Sequence, residues 1–309
     1  MAPLAPPRPA ACLLAFLSVV VAALSLAAPG MAAGKTGQVM VFWGRNKAEG
    51  SLREACDSGM YTMVNMSFLD VFGANGKYHL DLSSHDLSAI GAEAADIKHC
   101  QSKGVPVSLS IGGYGTSYSL PSNRSALDLF DHLWNSYFGG SKSGVRRPFS
   151  DEWLDGVNLF LENGTPADRY DLLALELAKH NIRGGGGKPL HLTATVRCGH
   201  PPAAHVGRAL ATGIFERVHV RIYEESDKAC NQYGAWEEAW DRWMAAYPAT
   251  RFFIGLTADD KSYQWIHPKN VYYGITPVVQ KEDNYGGVML WDRYFDKQSD
   301  YGSYIKYYA

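Results

Sequence analysis

Residues 155–162 read Asp-Gly-Val-Asn-Leu-Phe-Leu-Glu, an apolar run of strand length that ends in the acid Glu162. Side chains alternate along a strand, so Asn158, Phe160 and Glu162 share one side of it. Enzymes built on parallel barrels keep their catalytic groups at the carboxyl ends of such buried strands. The stretch therefore predicts a buried strand with a candidate site at its end.

Seven further apolar runs of this kind occur along the chain, and stretches with helical spacing lie between most of them. One predicted helix is Pro166–Asn181, with Thr165 as its cap and Asp168 completing a capping-box-like start. Apolar strands that alternate with helices favour a parallel sheet buried on both faces. Eight such units predict an α/β fold, a single (β/α)8 TIM barrel over residues 32–309, with a doubly wound open sheet as the alternative. The runs are Gln38–Gly44, Thr62–Val71, Pro106–Gly113, Gly156–Glu162, Leu190–Val196, Arg217–Tyr223, Arg251–Ala258 and Gly286–Trp291.

Residues 1–31 are predicted to be a cleaved signal peptide. Arg8 precedes an apolar run from Ala11 to Ala28, and small residues follow from Ala32. This order is typical of a secretory signal. A membrane anchor is the alternative, because a run of about 18 residues is near the lower limit for a span. The Pro-rich start and the small residues favour cleavage and an extracellular protein, and no other segment is expected to enter a membrane.

The charge balance excludes some classes of partner. The 309 residues include 29 basic and 31 acidic ones, for a net charge of -2, with no block of like charges. Nucleic-acid binding is therefore not expected, and a carbohydrate or protein partner is favoured.

Four cysteines remain after removal of the signal, which is an even number in a chain bound for an oxidising compartment. Two disulfides are predicted. Three connectivities are possible, and pairing neighbours, Cys56 with Cys100 and Cys198 with Cys230, demands least of the fold. Without a Cys-x-x-Cys pair no metal site is expected.

Motifs at the ends of other strands resemble those of a known family. Ser110-Ile-Gly-Gly113 ends the third strand, Tyr223 the sixth and Trp291 the eighth. Together with Glu162 they resemble glycoside hydrolase family 18, the plant class III chitinases, which carry Ser-x-Gly-Gly on strand three and Asp-x-x-Asp-x-Asp-x-Glu on strand four. The resemblance implies a barrel with a chitinase-like cleft formed by Asp155, Asn158, Phe160, Glu162, Arg221, Tyr223 and Trp291.

The chain departs from that family where the chemistry is carried out. Members of the family protonate the leaving oxygen with the Glu, while the Asp two residues earlier orients the acetamido group of the substrate, which attacks. Here that Asp is Phe160, the next carboxylate is Asn158, and Arg221 replaces a Gln. Arg221 would favour the ionised form of Glu162, whereas a general acid must carry a proton. We therefore predict a protein that is not an enzyme; a residual chitinase or lysozyme and a chitin-binding lectin are the alternatives.

One branch of this family, the xylanase inhibitor proteins of cereals, resembles the mature chain almost end to end. The matching segments include residues 37–46, 96–104 and 202–221. The resemblance implies a secreted, monomeric plant-defence protein of the apoplast and cell wall, without cofactor, that blocks the active-site cleft of microbial endo-xylanases of families 10 and 11. In that branch the loop after helix four, here with Arg183 and Lys188, meets family 11 enzymes. A lysine, here Lys269, meets family 10 enzymes.

The family 11 loop departs from the expected pattern, because Gly184–Gly187 is a run of four glycines where a proline is expected. Ordering such a run costs more entropy, which could weaken binding by about 1 kcal/mol.

Three sequons are present. Asn65 lies in a predicted buried strand and is not expected to carry a glycan, whereas Asn123 opens a surface helix and is. Asn163 directly follows Glu162, and its occupancy is left open.

Overall fold

The chain divides into Met1–Met31 and a compact unit, Ala32–Ala309. The computed structural model describes residues 34–73, 77–83, 85, 92–183, 190–199, 201–223, 230 and 235–309, without the side chains at 92 and 181–183. The predicted signal peptide lies outside these ranges and stays a prediction. Within them, no helix has the length and apolar character that a membrane span requires.

Eight parallel strands and one short antiparallel strand form the sheet. They are β1 (Val39–Trp43), β2 (Met63–Val71), β3 (His79–Leu80), β4 (Val107–Gly113), β5 (Gly156–Leu161), β6 (His191–Arg197), β7 (Arg217–Arg221), β8 (Arg251–Thr257) and β9 (Tyr285–Trp291). Their order is β1-β9-β8-β7-β6-β5-β4-β2, β1 also pairs with β2 and so closes the ring, and β3 lies beside β2. The predicted TIM barrel is confirmed, and each parallel strand lies within two residues of its predicted run.

Helical segments follow the strands and cover the outside of the barrel. They are α1 (Leu52–Asp57), α2 (Ala92–Ser102), α3 (Asn123–Tyr137), α4 (Tyr170–Arg183), α5 (Ala204–Leu210), α6 (Ala235–Ala246), α7 (Pro268–Asn270), α8 (Thr276–Val279), α9 (Arg293–Ser299) and α10 (Tyr301–Tyr308). A 3-10 turn, Lys47–Glu49, precedes α1, and a π-helix, Val271–Ile275, joins α7 to α8.

Alternation along the strands separates two cores. On β2, Val64 and Met66 belong to the large outer core between barrel and helices, whereas the side chain between them, Asn65, is fully buried on the other side. The burial of Asn65 agrees with the expectation that this sequon carries no glycan. The second core is a cluster inside the barrel, formed by Met40, Phe42, Met63, Phe68, Phe160, Tyr223, Phe253 and Met289.

The predicted start of the fourth helix is wrong. The helix begins at Tyr170, four residues after Pro166. The capping-box-like contact itself is present, because the carboxylate of Asp168 accepts from the backbone N–H of Thr165 at 2.6 Å. It closes a separate turn before the helix, and its second oxygen accepts from the N–H of Leu120 at 2.6 Å, which joins this turn to the segment after β4.

Both predicted disulfides are present. Cys56–Cys100 joins α1 to α2, and Cys198–Cys230 joins the end of β6 to the segment before α6, with Cα–Cα distances of 5.4 and 6.1 Å. Each restricts the unfolded chain, which stabilises a fold by about 3 to 4 kcal/mol.

Candidate functional site

Glu162 directly follows β5, at the carboxyl end of the barrel. Its N–H and that of Asn163 both donate to the hydroxyl of Tyr118, at 3.0 and 3.1 Å. The same hydroxyl donates to the carbonyl of Gly113 at 2.8 Å. Burial raises the pKa of Tyr118, so this hydroxyl keeps its proton. One side chain thus joins the ends of β4 and β5 and fixes the backbone of the site.

The carboxylate of Glu162 is held by two arginines. Arg221, whose side chain is fully buried, contacts Oε1, and Nε of Arg197 donates to Oε2 at 2.6 Å. The Glu162 side chain is only 3% exposed, while that of Arg197 is 45% exposed. The predicted contact with Arg221 is present. Both carboxylate oxygens therefore accept charge-assisted hydrogen bonds from side chains of the protein itself.

Phe160 occupies a closed, aromatic environment. Its ring is fully buried and lies 5.0 Å from that of Phe68, 5.6 Å from Phe42 and 5.7 Å from Trp291, centroid to centroid. The guanidinium of Arg221 lies over its face at 4.5 Å, a cation–π contact. Phe160 therefore contributes edge-to-face and tilted ring contacts at this position.

The glycines of the Ser-x-Gly-Gly motif let β4 approach β5. A Cβ added at Gly112 would lie 2.2 Å from the carbonyl oxygen of Phe160, and φ at Gly112 is +104°, a value that favours glycine. At Gly112 the motif therefore meets a requirement of the β4–β5 backbone that is independent of catalysis.

Asn158 belongs to a polar network inside the barrel. Its Oδ1 accepts from Ser110 Oγ at 2.9 Å, and its Nδ2 donates to Thr193 Oγ1 at 2.9 Å and Thr195 Oγ1 at 3.1 Å. Thr195 Oγ1 in turn lies 2.9 Å from Nδ1 of His219, whose pKa is lowered to about 3, mainly by burial. The network is neutral, and Asn158 has the role of a structural amide.

Tyr223 and Trp291 line the mouth of the barrel. Tyr223 is buried, and its hydroxyl lies 3.9 Å from Sδ of Met289. Trp291 is partly exposed and packs edge-on against Tyr114, which is 50% exposed, at 5.5 Å. The accessible part of the chitinase-like cleft is thus a rim of two rings over a closed floor.

A further arginine narrows the cleft. Arg45, after β1, lies over the ring of Phe68 at 5.3 Å and pairs with Asp81 at 3.2 Å. Its Nη1 also donates to the carbonyl of Ser67 at 3.1 Å. The cleft therefore has three arginines around its aromatic floor, each paired with an acid.

The match to a family model extends over most of the barrel. The model for glycosyl hydrolases family 18 covers residues 38–270, well over half of the chain. The chain belongs to glycosyl hydrolases family 18.

Within family 18, its relatives include named inhibitors. It is 82% identical to Xylanase inhibitor protein 1 of Triticum aestivum, over 100% of both chains. It is 49% identical to Xylanase inhibitor protein 1 of Oryza sativa subsp. japonica, over 95% of this chain and 96% of the other. A similar solved structure is the xylanase and alpha-amylase inhibitor protein of Scadoxus multiflorus, with 31% identity, a TM-score of 0.79, and coverage of 88% and 98%.

One residue assigned to the family 18 cleft does not lie in it. Asp155 precedes β5, at the amino end of the barrel, with the whole strand between it and Glu162. Its Oδ2 accepts from the backbone N–H of Val107 at 2.8 Å and from Nε2 of Gln101 at 2.9 Å. The family motif that includes both acids extends over the whole of β5, so its first and last residues lie at opposite ends of the barrel. Asp155 is a structural residue.

Arg45, Arg197 and Tyr118 were missed by the sequence analysis. Arg197 carried a usable signal, since it ends β6 and shares the inward parity of Thr193 and Thr195. Arg45 and Tyr118 lie in loops, where no periodicity of the sequence indicates which way a side chain points.

Of the residues predicted to contact xylanases, Lys269 has a side chain that the structure describes, whereas the side chains of Arg183 and Lys188 are outside the described residues. Lys269 is exposed on α7, and its N–H donates to Nδ1 of His267, the cap of that turn, at 3.1 Å. Arg183 is the last residue of α4, and its side chain, like Gly184–Gly187 and Lys188, is outside the described residues.

The sequons at Asn123 and Asn163 differ in their structural surroundings. Asn123 is exposed at the first turn of α3 and uses its oxygen, Oδ1, to accept from Arg169. Asn163 is half-buried, and its Nδ2, the atom that would carry a glycan, donates to the carbonyl of Gly115 at 2.8 Å. Across the described ranges, no group of three or more His, Cys, Asp or Glu side chains has the arrangement of a metal site.

Proposed function

We propose that this protein is a secreted, non-catalytic inhibitor of microbial endo-xylanases of families 10 and 11. The observation that carries the proposal is the paired state of Glu162 in a chain so similar, over its whole length, to named xylanase inhibitor proteins. The fold is that of a hydrolase, but the acid is bound by arginines.

Catalysis by the family route needs two groups that the cleft does not supply. A carboxylate at position 160 would orient the acetamido group, and the phenyl ring there can neither accept a hydrogen bond nor oppose positive charge. The second group is a free Glu162 carboxyl, and both of its oxygens are engaged by Arg221 and Arg197. Losing one preorganised group commonly costs a factor of about 100 to 1000 in rate, so losing both leaves no useful turnover.

Family 10 xylanases are inhibited, in this proposal, through Lys269. Its ammonium is exposed and makes no ion pair with the acidic groups that the structure describes. A glycosidase cleft carries two carboxylates, which would attract a lysine inserted between them. Lys269 lies in the short turn of α7, whose N-terminus is capped by the side chain of His267.

Family 11 xylanases are inhibited, in this proposal, through the loop that follows α4. Arg183, at the helix end, is the predicted contact for the carboxylates, because a guanidinium can donate two parallel hydrogen bonds to such a pair. Lys188 would add positive charge to the same loop. The two surfaces follow different strands of the barrel, so each can be removed without the other.

The test is a titration of one family 10 and one family 11 xylanase with the wild-type chain and with Lys269→Ala, Arg183→Ala and the control Lys261→Ala. Lys261 is an exposed lysine in the same β8–α7 connection. Lys269→Ala should raise the inhibition constant for family 10 at least 100-fold and leave family 11 unchanged, and Arg183→Ala should do the reverse. The proposal fails if micromolar wild-type protein inhibits neither enzyme.

A second candidate function is binding of chitin oligosaccharides without hydrolysis, favoured by the exposed ring of Tyr114 beside Trp291. Calorimetry with a chitin oligosaccharide tests it. Binding that is lost in Tyr114→Ala would establish a lectin-like rim, and absence of heat at millimolar sugar would exclude it.

Secretion to the apoplast and cell wall, as a monomer, completes the proposal. It is supported by the signal-like sequence of residues 1–31 and by the two disulfides, which persist in oxidising compartments. Amino-terminal sequencing of the secreted protein should find the first residue near Ala32.

A further inference from the structure

An unusual local structure follows Lys269. In the π-helix Val271–Ile275 both end residues are buried and the three between them are exposed. Tyr273 is 75% exposed and Tyr272 is 39% exposed. Single π turns occur frequently at functional sites. The wider turn places two tyrosine rings on the surface.

These rings continue into a row with the rings of α10. The centroid of Tyr272 lies 4.6 Å from that of Tyr273 and 4.5 Å from Tyr308, which lies 5.1 Å from Tyr307. Nζ of Lys35 lies over the ring of Tyr307 at 4.6 Å. We call Tyr272, Tyr273, Tyr307 and Tyr308 the tyrosine row. With Tyr307 72% exposed, the row is accessible at both ends.

The backbone that carries the row is held in place. The carbonyl of Tyr308 accepts from Nε2 of Gln280 at 2.6 Å, and that of Ala309 accepts from the N–H of Gly37 at 3.0 Å. The hydroxyl of Tyr301 donates to the carbonyl of Ile266, at 2.7 Å, and so joins α10 to the segment before α7. Rings on a fixed backbone lose little conformational entropy when a partner covers them.

Positive charge flanks the row and is available to a partner. Lys269 lies three residues before Tyr272, one helical turn away, and Lys35 lies at the other end. Both lysines are exposed, and neither forms an ion pair with an acid in the described ranges. The partner surface that fits this patch is acidic around an apolar centre.

The ring geometry favours a protein over a polysaccharide. Successive rings are tilted by 71°, 40° and 89°, so their faces do not form the flat platform on which a sugar chain stacks. Tilted tyrosines with free edges and hydroxyls are typical of the centres of protein interfaces, where tyrosine is enriched and contributes disproportionately to affinity.

We infer that the tyrosine row is a second contact area for the xylanase that Lys269 engages, and that it supplies affinity while Lys269 reaches the catalytic carboxylates. The inference rests on the proposed function at Lys269. It adds a specific partner surface, an acidic and partly apolar rim beside the cleft of the family 10 enzyme, to the single charge contact proposed above.

The test measures inhibition constants for a family 10 xylanase with Tyr273→Ala, Tyr307→Ala and Lys269→Ala, beside the control Tyr304→Ala. Tyr304 is 55% exposed on the same helix, α10, but is outside the row. Tyr273→Ala should raise the inhibition constant at least 10-fold, and Tyr307→Ala about 3- to 10-fold, with Tyr304→Ala within 2-fold of wild type. Thermal unfolding of each variant checks that the fold is intact.

The other possible results distinguish failure of this inference from failure of the proposed function. If Lys269→Ala abolishes inhibition while both row variants match wild type, the inference is overturned and the proposed function stands. If wild type does not inhibit the enzyme, both fail. If wild type is retained on insoluble xylan or cellulose and the row variants lose retention but not inhibition, the row binds polysaccharide and the inference is overturned.

Discussion

The chitinase-like cleft and the surface around Lys269 use the same kinds of side chain in opposite ways. In the cleft, Arg221 is buried and paired with Glu162, and Phe160 is enclosed by other rings. At the surface, Lys269 is exposed and without an acidic partner among the described residues, and Tyr273 projects into solvent. A buried, paired cation cannot be removed without leaving the charge of its partner uncompensated, whereas an exposed cation without an acidic partner is available to another molecule.

The two regions differ in what the loss of a charge should change. Charges in the cleft neutralise each other, so removing them should affect stability first. Charges and rings on the outer surface contribute little to folding, so removing them should affect binding first. Four predictions test this division, in order of the expected size of the effect.

Arg221→Ala should give the largest change in stability. It removes the fully buried partner of Glu162, and breaking a buried pair costs about 3 to 5 kcal/mol. Arg197→Ala, which removes the half-exposed partner of the same carboxylate, should cost about 1 kcal/mol or less. Urea unfolding measures both, and equal losses would show that burial does not govern the pair. Inhibition of xylanases by the folded variants should be unchanged.

Phe160→Asp introduces a carboxylate at this position and should not produce chitinase activity. The new charge would lie among Phe42, Phe68 and Trp291, at a cost of about 2 to 4 kcal/mol, while the control Phe160→Leu should cost about 1 to 2. Glu162 would remain bound by two arginines. Turnover of a chitin oligosaccharide by Phe160→Asp, abolished by adding Glu162→Gln, would contradict this prediction and support a residual enzyme.

The barrel interior should make stability depend on pH through His219. Burial lowers its pKa to about 3, from an ordinary value of 6.5, so the unfolded chain binds a proton in this range that the folded chain excludes. This group therefore removes about 1.4 kcal/mol of stability per pH unit as pH falls from 6.5 toward 3. Asp292, whose pKa burial raises to about 7, acts in the opposite sense between about pH 4 and 7.

The variant His219→Gln isolates this effect. The difference in unfolding free energy between wild type and His219→Gln should change with pH by up to that slope between pH 4 and 6. A difference independent of pH would show that His219 is protonated in the fold. His132→Gln is a second case over a narrower window, since burial lowers the pKa of His132 to about 4.

The sequons should show the smallest effect on stability and a clear difference in mass. Asn123→Gln should remove the mass of one glycan from protein secreted by a plant host, while Asn163→Gln should leave the mass of the glycan unchanged. Stability should shift by about 0.5 kcal/mol or less in Asn123→Gln, as at other exposed sites. Intact mass spectrometry measures the first, and loss of glycan mass in Asn163→Gln would contradict the role given to its Nδ2.

Much of this division could be predicted from the sequence, but not all of it. The strands were predictable because parallel strands buried on both faces are apolar runs, and the disulfides because few cysteines were available. The orientation of the Arg221 side chain toward Glu162 was predictable because side chains alternate along β7. Asp155 was misplaced because the family motif spans a whole strand and was treated as one site. The start of α4 was misplaced because the turn closed by Thr165 and Asp168 forms as predicted but does not continue into the helix, which begins at Tyr170.

The Tyr118 hydroxyl has a consequence for how variants of the cleft can be compared. It accepts from two backbone N–H groups and donates to a backbone carbonyl, so none of its three bonds depends on which side chains stand at positions 158, 160 or 162. A substitution at one of these positions leaves the link between the ends of β4 and β5 in place. The effect of each variant can therefore be assigned to its side chain, with the same backbone as a common reference.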